Sequence, residues 1–99
     1  MRIIARKTLT DFWNKPEFSD AGQPLKSWFK IASQAVWKSA SDVKQQYGNA
    51  SIVANNRVIF NIGGNKYRLI VAINYDYEVI YIRFIGTHKQ YDSIKAESI

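Results

Sequence analysis

The hydrophobic pattern of the chain changes from a helical period to a strand period near Ala50, and this change limits the folds available to it. Before that point, apolar residues such as Leu25, Trp28 and Phe29 recur every three or four positions, which places them on one helix face. After it come β-branched and aromatic runs separated by short connections: ASIVA, RVIFNI, KYRLIVAIN and YEVIYIRFI. This order predicts an α+β fold with N-terminal helices packed on a twisted, mainly antiparallel β-sheet.

The first fifty residues predict one short strand and three helices. Residues 2–5 form a β-prone run, and residues 9–13 carry apolar side chains at helical spacing until Pro16. A second helix is expected to begin near Pro24 and to extend its apolar face to Val36. Ser41 is expected to cap a third, short helix that Gly48 terminates. The polar C-terminal stretch is compatible with one more short helix.

The length and composition of the chain favour one folded unit. Ninety-nine residues are about one domain's worth of chain. Hydrophobic residues make up 46% of the sequence and aromatic residues 14%, unlike the composition of disordered chains. No repeat or linker interrupts the sequence, so we expect residues 1–99 to form a single domain. We expect the three tryptophans to pack helices onto the sheet rather than to stack on bases: Trp13, Trp28 and Trp37.

The charge of the chain favours an acidic partner. Fourteen Lys and Arg against eight Asp and Glu give a formal net charge of +6, which attracts RNA, DNA or an acidic protein over long range. The chain has no Cys and one His, which excludes disulfides and thiolate zinc sites. We therefore expect a function that needs no metal and no other cofactor.

The sequence favours a cytosolic protein. The first residues, MRIIARKTLT, turn polar and basic after two isoleucines and lack the apolar core of a secretory signal. No later apolar stretch is long enough to span a bilayer. We expect no membrane partner.

Two strands of the predicted sheet carry arginines among apolar neighbours. If Gly64 and Asn65 form a two-residue turn, Asn61 lies opposite Arg68. If residues 75–76 turn the next hairpin in the same way, Arg68 lies opposite Arg83. Like charges placed opposite each other destabilise a sheet, so an anion is expected between them. A phosphate fits, because two guanidinium groups can donate several charge-assisted hydrogen bonds to it.

A structural explanation of these arginines stays open. Both side chains could instead extend to the sheet edge, or pair with a helix carboxylate such as Glu17 or Asp20. In that case they would stabilise the fold and bind no ligand.

The C-terminal segment THKQYD adds a group that can transfer protons. His88 follows the strand of Arg83 by a few residues, and histidine is the side chain with an unperturbed pKa near neutrality, about 6.5. Together with Tyr91 and fixed cations, it supplies what RNA cleavage without a metal requires. A base takes the proton of the ribose 2'-OH, which attacks the adjacent phosphate, and an acid protonates the departing 5'-oxygen. Further RNA contacts are expected from basic and amide side chains nearby: Arg57, Asn61, Asn65, Lys66 and Lys89.

These same segments resemble a known family. RVIFNIGGNKYRLIVAINY and YIRFIGTHKQYD, with LTDFW, PLKSWF, AVWKSASDVKQQY and AESI, are similar to the HigB-type toxins of bacterial toxin-antitoxin modules. The resemblance implies a RelE-like fold and an mRNA interferase that commonly acts on translated mRNA at the ribosome. It also implies a cognate helix-turn-helix antitoxin, through which alone the toxin would meet operator DNA. By residue type and location, the catalytic set corresponds to Arg68, Arg83, His88 and Tyr91.

Two other functions remain compatible with these residues. One is a ParE-like toxin that poisons a protein target without cleaving RNA. The other is a passive RNA-binding module in which the arginines only neutralise phosphates. Catalysis requires His88 and Tyr91, whereas passive binding does not.

Overall fold

The computed structural model describes all 99 residues, Met1 to Ile99. It confirms the α+β class, with four α-helices and five strands. No helix has the length and apolar composition needed to cross a bilayer. The elements in chain order are β1 Arg2–Ile4, α1 Arg6–Trp13, α2 Gly22–Gln34, α3 Ala40–Gln46, β2 Ser51–Val53, β3 Arg57–Ile62, β4 Tyr67–Asn74, β5 Val79–Thr87 and α4 His88–Tyr91, with 3₁₀ helices at Pro16–Ala21 and Ala96–Ser98.

The five strands form one sheet in the order β1-β5-β4-β3-β2. Neighbouring strands from β2 to β5 are antiparallel. The exception is β1, which pairs in parallel with β5, with Ile3 opposite Ile80. The first three helices all lie in sequence between the edge strands β1 and β2, so the chain completes its helical layer before it builds the antiparallel sheet. The prediction of a mainly antiparallel sheet is confirmed.

The helices cover one face of the sheet, and the main core lies there. Alternate side chains of β4, including Leu69 and Val71, are fully buried against helix residues such as Leu25. Trp28 and Trp37 are both 2% exposed, and the Trp28 ring lies 5.4 Å from that of Phe60. Each large side chain buried in this way contributes about 1.5–3 kcal/mol. The packing role predicted for the tryptophans is confirmed, and Trp13 packs at the edge of this core.

The opposite face, which we call the open face, carries the alternate residues of the strands. Its small apolar cluster is formed by Ile59, Ile70 and Ala96, with Phe84 and Ile94 packed against it. The C-terminal segment, residues 92–99, thus lies across the middle of this face, whose ends keep their polar side chains accessible. The open-face strand positions discussed below are Arg57, Asn61, Arg68, Ala72, Tyr81 and Arg83.

Two details of the helices differ from the sequence predictions. Helix α2 ends at Gln34 because Ala35 adopts an extended conformation. Val36 therefore lies outside the helix, and it is 63% exposed. Helix α3 is capped by Ser39 rather than Ser41, since the extended Ser39 backbone lets its hydroxyl accept from the Asp42 N–H at 3.4 Å. This helix also ends before Gly48, which lacks the left-handed conformation of a helix-terminating glycine.

Candidate active site

The hairpin between β3 and β4 places Asn61 opposite Arg68, as the sequence predicts. The two strands end at Ile62 and Tyr67, and residues 63–66 connect them. The left-handed residues of this connection are Gly63 and Gly64, and the Lys66 N–H donates to the Gly63 carbonyl oxygen at 3.4 Å, so the predicted pair, Gly64 and Asn65, stays at the centre of the turn. The register is the predicted one because the four connecting residues are centred on this pair.

The next hairpin does not place Arg68 opposite Arg83, and that prediction is wrong. The connection between β4 and β5 spans residues 75–78 and is centred on residues 76–77 rather than 75–76, which moves the partner of Arg68 two residues along β5. A β-bulge moves it further, because Val71 pairs with Ile82 while Ile70 pairs with Phe84, which leaves Arg83 without a partner. Gly86 is the residue opposite Arg68. The predicted polar row therefore ends at Arg68.

Arg68 is half-buried, and its guanidinium group is held by neutral partners. Its Nη1 donates to the carbonyl oxygens of Asn65, at 3.0 Å, and Tyr67, at 3.4 Å. The guanidinium carbon lies 5.9 Å from the centre of the Tyr91 ring, within cation–π range. No Asp or Glu forms an ion pair with it. Arg68 thus keeps both its charge and unused N–H donors at the surface.

Helix α4 brings His88 and Tyr91 to the same end of the sheet. The hydroxyl of Thr87 accepts from the Gln90 N–H at 3.1 Å, and the Gln90 side chain accepts from the Thr87 N–H at 2.9 Å. A helix of four residues has no stability of its own, so this reciprocal capping box fixes it to the end of β5. Nδ1 of His88 lies 3.4 Å from Oδ1 of Asp92, and the His88 and Tyr91 ring centres are 6.2 Å apart.

Gly86 makes this arrangement possible, and the sequence prediction did not include it. A Cβ atom at this position would lie 2.5 Å from Cζ of Phe84 and 2.7 Å from Oε1 of Gln90. Any side chain would therefore push against the capping amide of α4. The available signal was a glycine inside an otherwise β-branched and aromatic strand, which indicates a close approach of other atoms.

Lys66 is engaged by a carboxylate from the helical half of the chain. Its Nζ forms an ion pair with Asp20, whose other oxygen accepts a 2.5 Å hydrogen bond from the hydroxyl of the buried Tyr67. The hydrogen bond from Lys66, followed by that from Tyr67, lowers the pKa of Asp20. In return, the hydrogen bond with Asp20 raises the pKa of Lys66, and burial, followed by that same carboxylate, raises the pKa of Tyr67. Asp20 therefore pairs with Lys66 and not with Arg68 or Arg83.

Arg83 lies in a separate concavity, which we call the basic groove. It has a volume of about 670 Å³. Arg83 is exposed, and its guanidinium carbon lies 5.4 Å from the Tyr81 ring centre. Arg83 and Gly86 are three positions apart along β5, a distance of roughly 10 Å. The structure thus divides the predicted catalytic set between two ends of the open face. The basic groove is lined by Lys38, Asn55, Arg57, Asn74, Tyr81 and Arg83, among others.

The remaining predicted RNA contacts differ in their surroundings. Arg57 donates from Nε and Nη2 to the backbone oxygen of Ile99, at 3.0 and 2.7 Å. The amide nitrogen of Asn61 donates to the Asn49 carbonyl oxygen at 3.4 Å. Asn65 and Lys89 are exposed. Lys89 shares α4 with His88, whereas Arg57 belongs to the basic groove.

Comparisons with known proteins agree with the resemblance carried by these residues. A family model described as HigB toxin, the RelE-like toxic component of a toxin-antitoxin system, matches residues 21–94. The chain is 29% identical, over 104 aligned residues, to the mRNA interferase toxin HigB of Escherichia coli (strain K12). The proteins named mRNA interferase HigB in Escherichia coli O157:H7 and Shigella flexneri match at the same identity. Each alignment covers 97% of this chain and 92% of the relative.

The matched region includes the whole β3–β5 sheet and α4, and thus all four residues of the predicted catalytic set. The α+β architecture, with helices on one face of a mainly antiparallel sheet, agrees with a RelE-like fold. The toxic component of a toxin-antitoxin system has a cognate antitoxin as its partner. The chain therefore belongs to the HigB family of RelE-like toxins, the toxic components of toxin-antitoxin systems.

Proposed function

We propose that this toxin is a metal-independent endoribonuclease that cleaves mRNA, with translated mRNA at the ribosome as its substrate, and thereby inhibits protein synthesis. The names of its relatives, mRNA interferases, support this activity. The observation that carries the proposal is the position of Arg68, which has no carboxylate partner and lies against Tyr91 beside His88. Residues 1–99 act in this proposal as one toxin domain.

The proposed reaction is an attack of the ribose 2'-oxygen on the adjacent phosphate. Arg68 binds the phosphate and stabilises the charge that grows on its oxygens, which is a large contribution wherever donors are already in place. His88 is half-exposed on α4 and takes part in the proton transfer. A base removes the 2'-OH proton, the P–O5' bond breaks as the bond from the 2'-oxygen to phosphorus forms, and an acid protonates the departing 5'-oxygen. Tyr91 holds the Arg68 guanidinium against its ring and presents its phenol to the same phosphate. No step requires a metal or another cofactor.

Other basic and amide side chains extend the RNA contact in the proposal. Asn61, Asn65 and Lys89 surround the Arg68 end of the open face, while Arg57 and Arg83 lie in the basic groove. Lys66 contributes charge only in part, because Asp20 neutralises it. Arg83 thus serves as a contact for the RNA strand at a distance from Arg68.

We also propose a cytosolic location and an antitoxin that carries a helix-turn-helix domain. The toxin would then meet operator DNA only through that antitoxin. The formal net charge of +6 favours an acidic contact surface on the antitoxin. Affinity between the two proteins is expected to fall as ionic strength rises, because exposed charge pairs are screened by salt. A salt-insensitive complex would contradict this electrostatic account.

The activity is tested by inducing the chain in a bacterium and mapping new 5' ends across the cell's mRNAs. Arg68→Ala is induced in parallel, together with Arg2→Ala, which removes the same charge from an exposed position on the edge strand β1. We expect new ends inside translated regions for the native chain and for Arg2→Ala, and none for Arg68→Ala. Growth arrest without new ends would indicate a protein target and would contradict the proposal.

A further inference from the structure

We propose that the basic groove is a second RNA subsite, which binds a nucleotide flanking the cleavage site. The inference rests on the proposed ribonuclease function and specifies its substrate. It requires single-stranded RNA that continues from Arg68 along the open face. The groove adds Lys38 and Tyr81 to the residues that contact RNA.

The positive charge of the groove favours the binding of an anion. Lys38, Arg57 and Arg83 converge on it, and Asp76 is its only acidic residue. The ion pairs of the structure involve other residues: Lys7 with Asp11, Lys66 with Asp20 and His88 with Asp92. None of the three cations of the groove forms an ion pair with an Asp or Glu side chain. A phosphate bound among them would relieve their mutual repulsion.

The three cations differ in the donors they have available. The guanidinium group of Arg57 is occupied by the backbone oxygens of Ile99 and Asn55, so it forms a fixed side of the groove and has few donors left for a ligand. Arg83 has no hydrogen-bond partner and is exposed. At the bulge, the backbone of Arg83 lies outside the paired positions of β5. Arg83 and Lys38 are thus the donors that can reach a phosphate.

The groove also offers features that a nucleobase uses. The ring of Tyr81 already contacts the Arg83 guanidinium at 5.4 Å, and together they form a planar, cationic surface on which a base can stack. Asn55 and Asn56 also line the groove. The Asn55 amide nitrogen donates to the Glu97 carbonyl oxygen at 2.8 Å, so the Asn56 amide is the group that can bond a base edge. A volume of about 670 Å³ accommodates a nucleotide-sized ligand. An acidic peptide would use the cations but not the aromatic surface or the Asn56 amide.

Arg83, on the wall of the groove, and Gly86, opposite Arg68, are three positions apart on β5, roughly 10 Å. Between them lies the apolar contact of Ile70 and Phe84 with the C-terminal segment. An RNA strand with its scissile phosphate at Arg68 must pass over this segment to place a neighbouring nucleotide in the groove. A substrate too short to span this distance would lose the second contact.

The test compares the binding of two uncleavable 2'-O-methyl RNAs, a trinucleotide and an oligonucleotide of about 12 nucleotides, a length typical of single-strand sites. We expect the native protein to bind the longer RNA more tightly. Lys38→Ala is expected to weaken binding of the longer RNA about 5-fold or more and to reduce its salt slope by about 0.7, the value for one phosphate contact. The matched control, Lys30→Ala, removes an exposed lysine from α2 and is expected to change neither.

Three results would overturn the proposal. One is that Lys38→Ala and Lys30→Ala weaken binding of the longer RNA equally. Another is that Lys38→Ala weakens binding of the trinucleotide as much as binding of the longer RNA. The third is unchanged RNA binding by Lys38→Ala together with weaker binding of the cognate antitoxin, which would assign the groove to that protein. Because these RNAs cannot be cleaved, the groove is tested independently of the ribonuclease activity. A native protein that binds them with the expected length dependence but cleaves no RNA would refute the proposed function and leave the groove supported.

Discussion

The guanidinium group of Arg68 and the ring of Tyr91 lie 5.9 Å apart, so a central strand and the last helix meet at one cation. Tyr91→Leu removes the ring that holds the guanidinium in place, and a misplacement of about 1 Å can lower a rate about 100-fold. We expect kcat on an RNA oligonucleotide to fall by that order, while thermal unfolding changes little. Tyr91→Phe keeps the ring and isolates the contribution of the hydroxyl. Native activity in Tyr91→Leu would show that the contact has no role in cleavage.

Substitution of Arg68 by lysine separates charge from geometry. Lysine keeps the positive charge but cannot present the planar fork of the guanidinium group. We expect Arg68→Lys to lower kcat/KM about 100-fold or more, the size typical of a lost transition-state donor, with far-UV circular dichroism unchanged. If Arg68→Lys instead unfolds, the residue is a structural partner, and its carbonyl contacts with Asn65 and Tyr67 are its main role.

Gly86→Ala tests the close approach beneath α4. The added Cβ atom would collide with Phe84 and Gln90, so we expect a loss of about 1–3 kcal/mol in unfolding free energy and a larger loss of cleavage. Urea denaturation and RNA cleavage by the same preparation measure the two effects. Gly48→Ala is the matched control, since nothing lies within 4 Å of its Cβ position. Equal effects of the two substitutions would refute the assigned role of Gly86.

Thr87 positions α4 without contacting RNA in this account. Thr87→Val keeps the shape of the side chain but removes the hydroxyl that accepts from Gln90, and we expect a stability loss of about 0.5–2 kcal/mol. Because His88 and Tyr91 lose their fixed orientation, kcat should fall while KM stays near its native value. Thr87→Ser should restore kcat, a rescue that a purely steric role of the methyl group would not give.

The contacts of Asp20 make the stability of the fold depend on pH in the acid range. Its pKa is lowered in the folded state by Lys66 and Tyr67, so its stabilising contribution is complete above the unfolded value of 3.8 and is lost as the pH falls through the folded value. We expect Asp20→Asn to lower the urea midpoint at neutral pH and to converge with the native protein in acid. Asp11→Asn breaks an exposed i,i+4 pair with Lys7 and should change the midpoint little. If the difference in urea midpoint between the native protein and Asp20→Asn stayed constant with pH, the ionic explanation would be contradicted.

His88→Gln distinguishes proton transfer from RNA binding. Glutamine keeps polar contacts but cannot exchange a proton near neutrality, so cleavage should fall more than RNA affinity. Affinity is measured with an uncleavable 2'-O-methyl RNA and cleavage with its normal counterpart. Equal losses in both measurements would remove His88 from the acid-base role.

The sequence predicted the order and type of the elements because their periods differ clearly. The change from helical to strand spacing near Ala50 locates the sheet, and the length of the Gly-containing connection fixes Asn61 opposite Arg68. Hydrophobic alternation also places Arg68 on the open face. These features depend on residues that are close together in the sequence, so their spacing can be read from the sequence directly.

The partners of the second hairpin and of Lys66 could not be found in this way. Strand alternation is the same on both sides of a bulge, so the pattern of β5 does not show that Arg83 is an extra residue. The Lys66–Asp20 pair joins residues 46 positions apart, and sequence alone offered Asp20 equally to either arginine. The cap at Ser39 was missed because neighbouring serines differ only in the backbone conformation that the fold gives them.

The bulge in β5 means that the strand could lose one residue, Arg83, and keep its pairing with β4. With Arg83 deleted, Ile82 and Phe84 would become neighbours, and each could keep its partner, Val71 or Ile70. The ladder would become regular, and no other side chain would change faces. Arg83 is therefore dispensable for the pairing of its own strand, which carries this cation as an addition to a complete sheet.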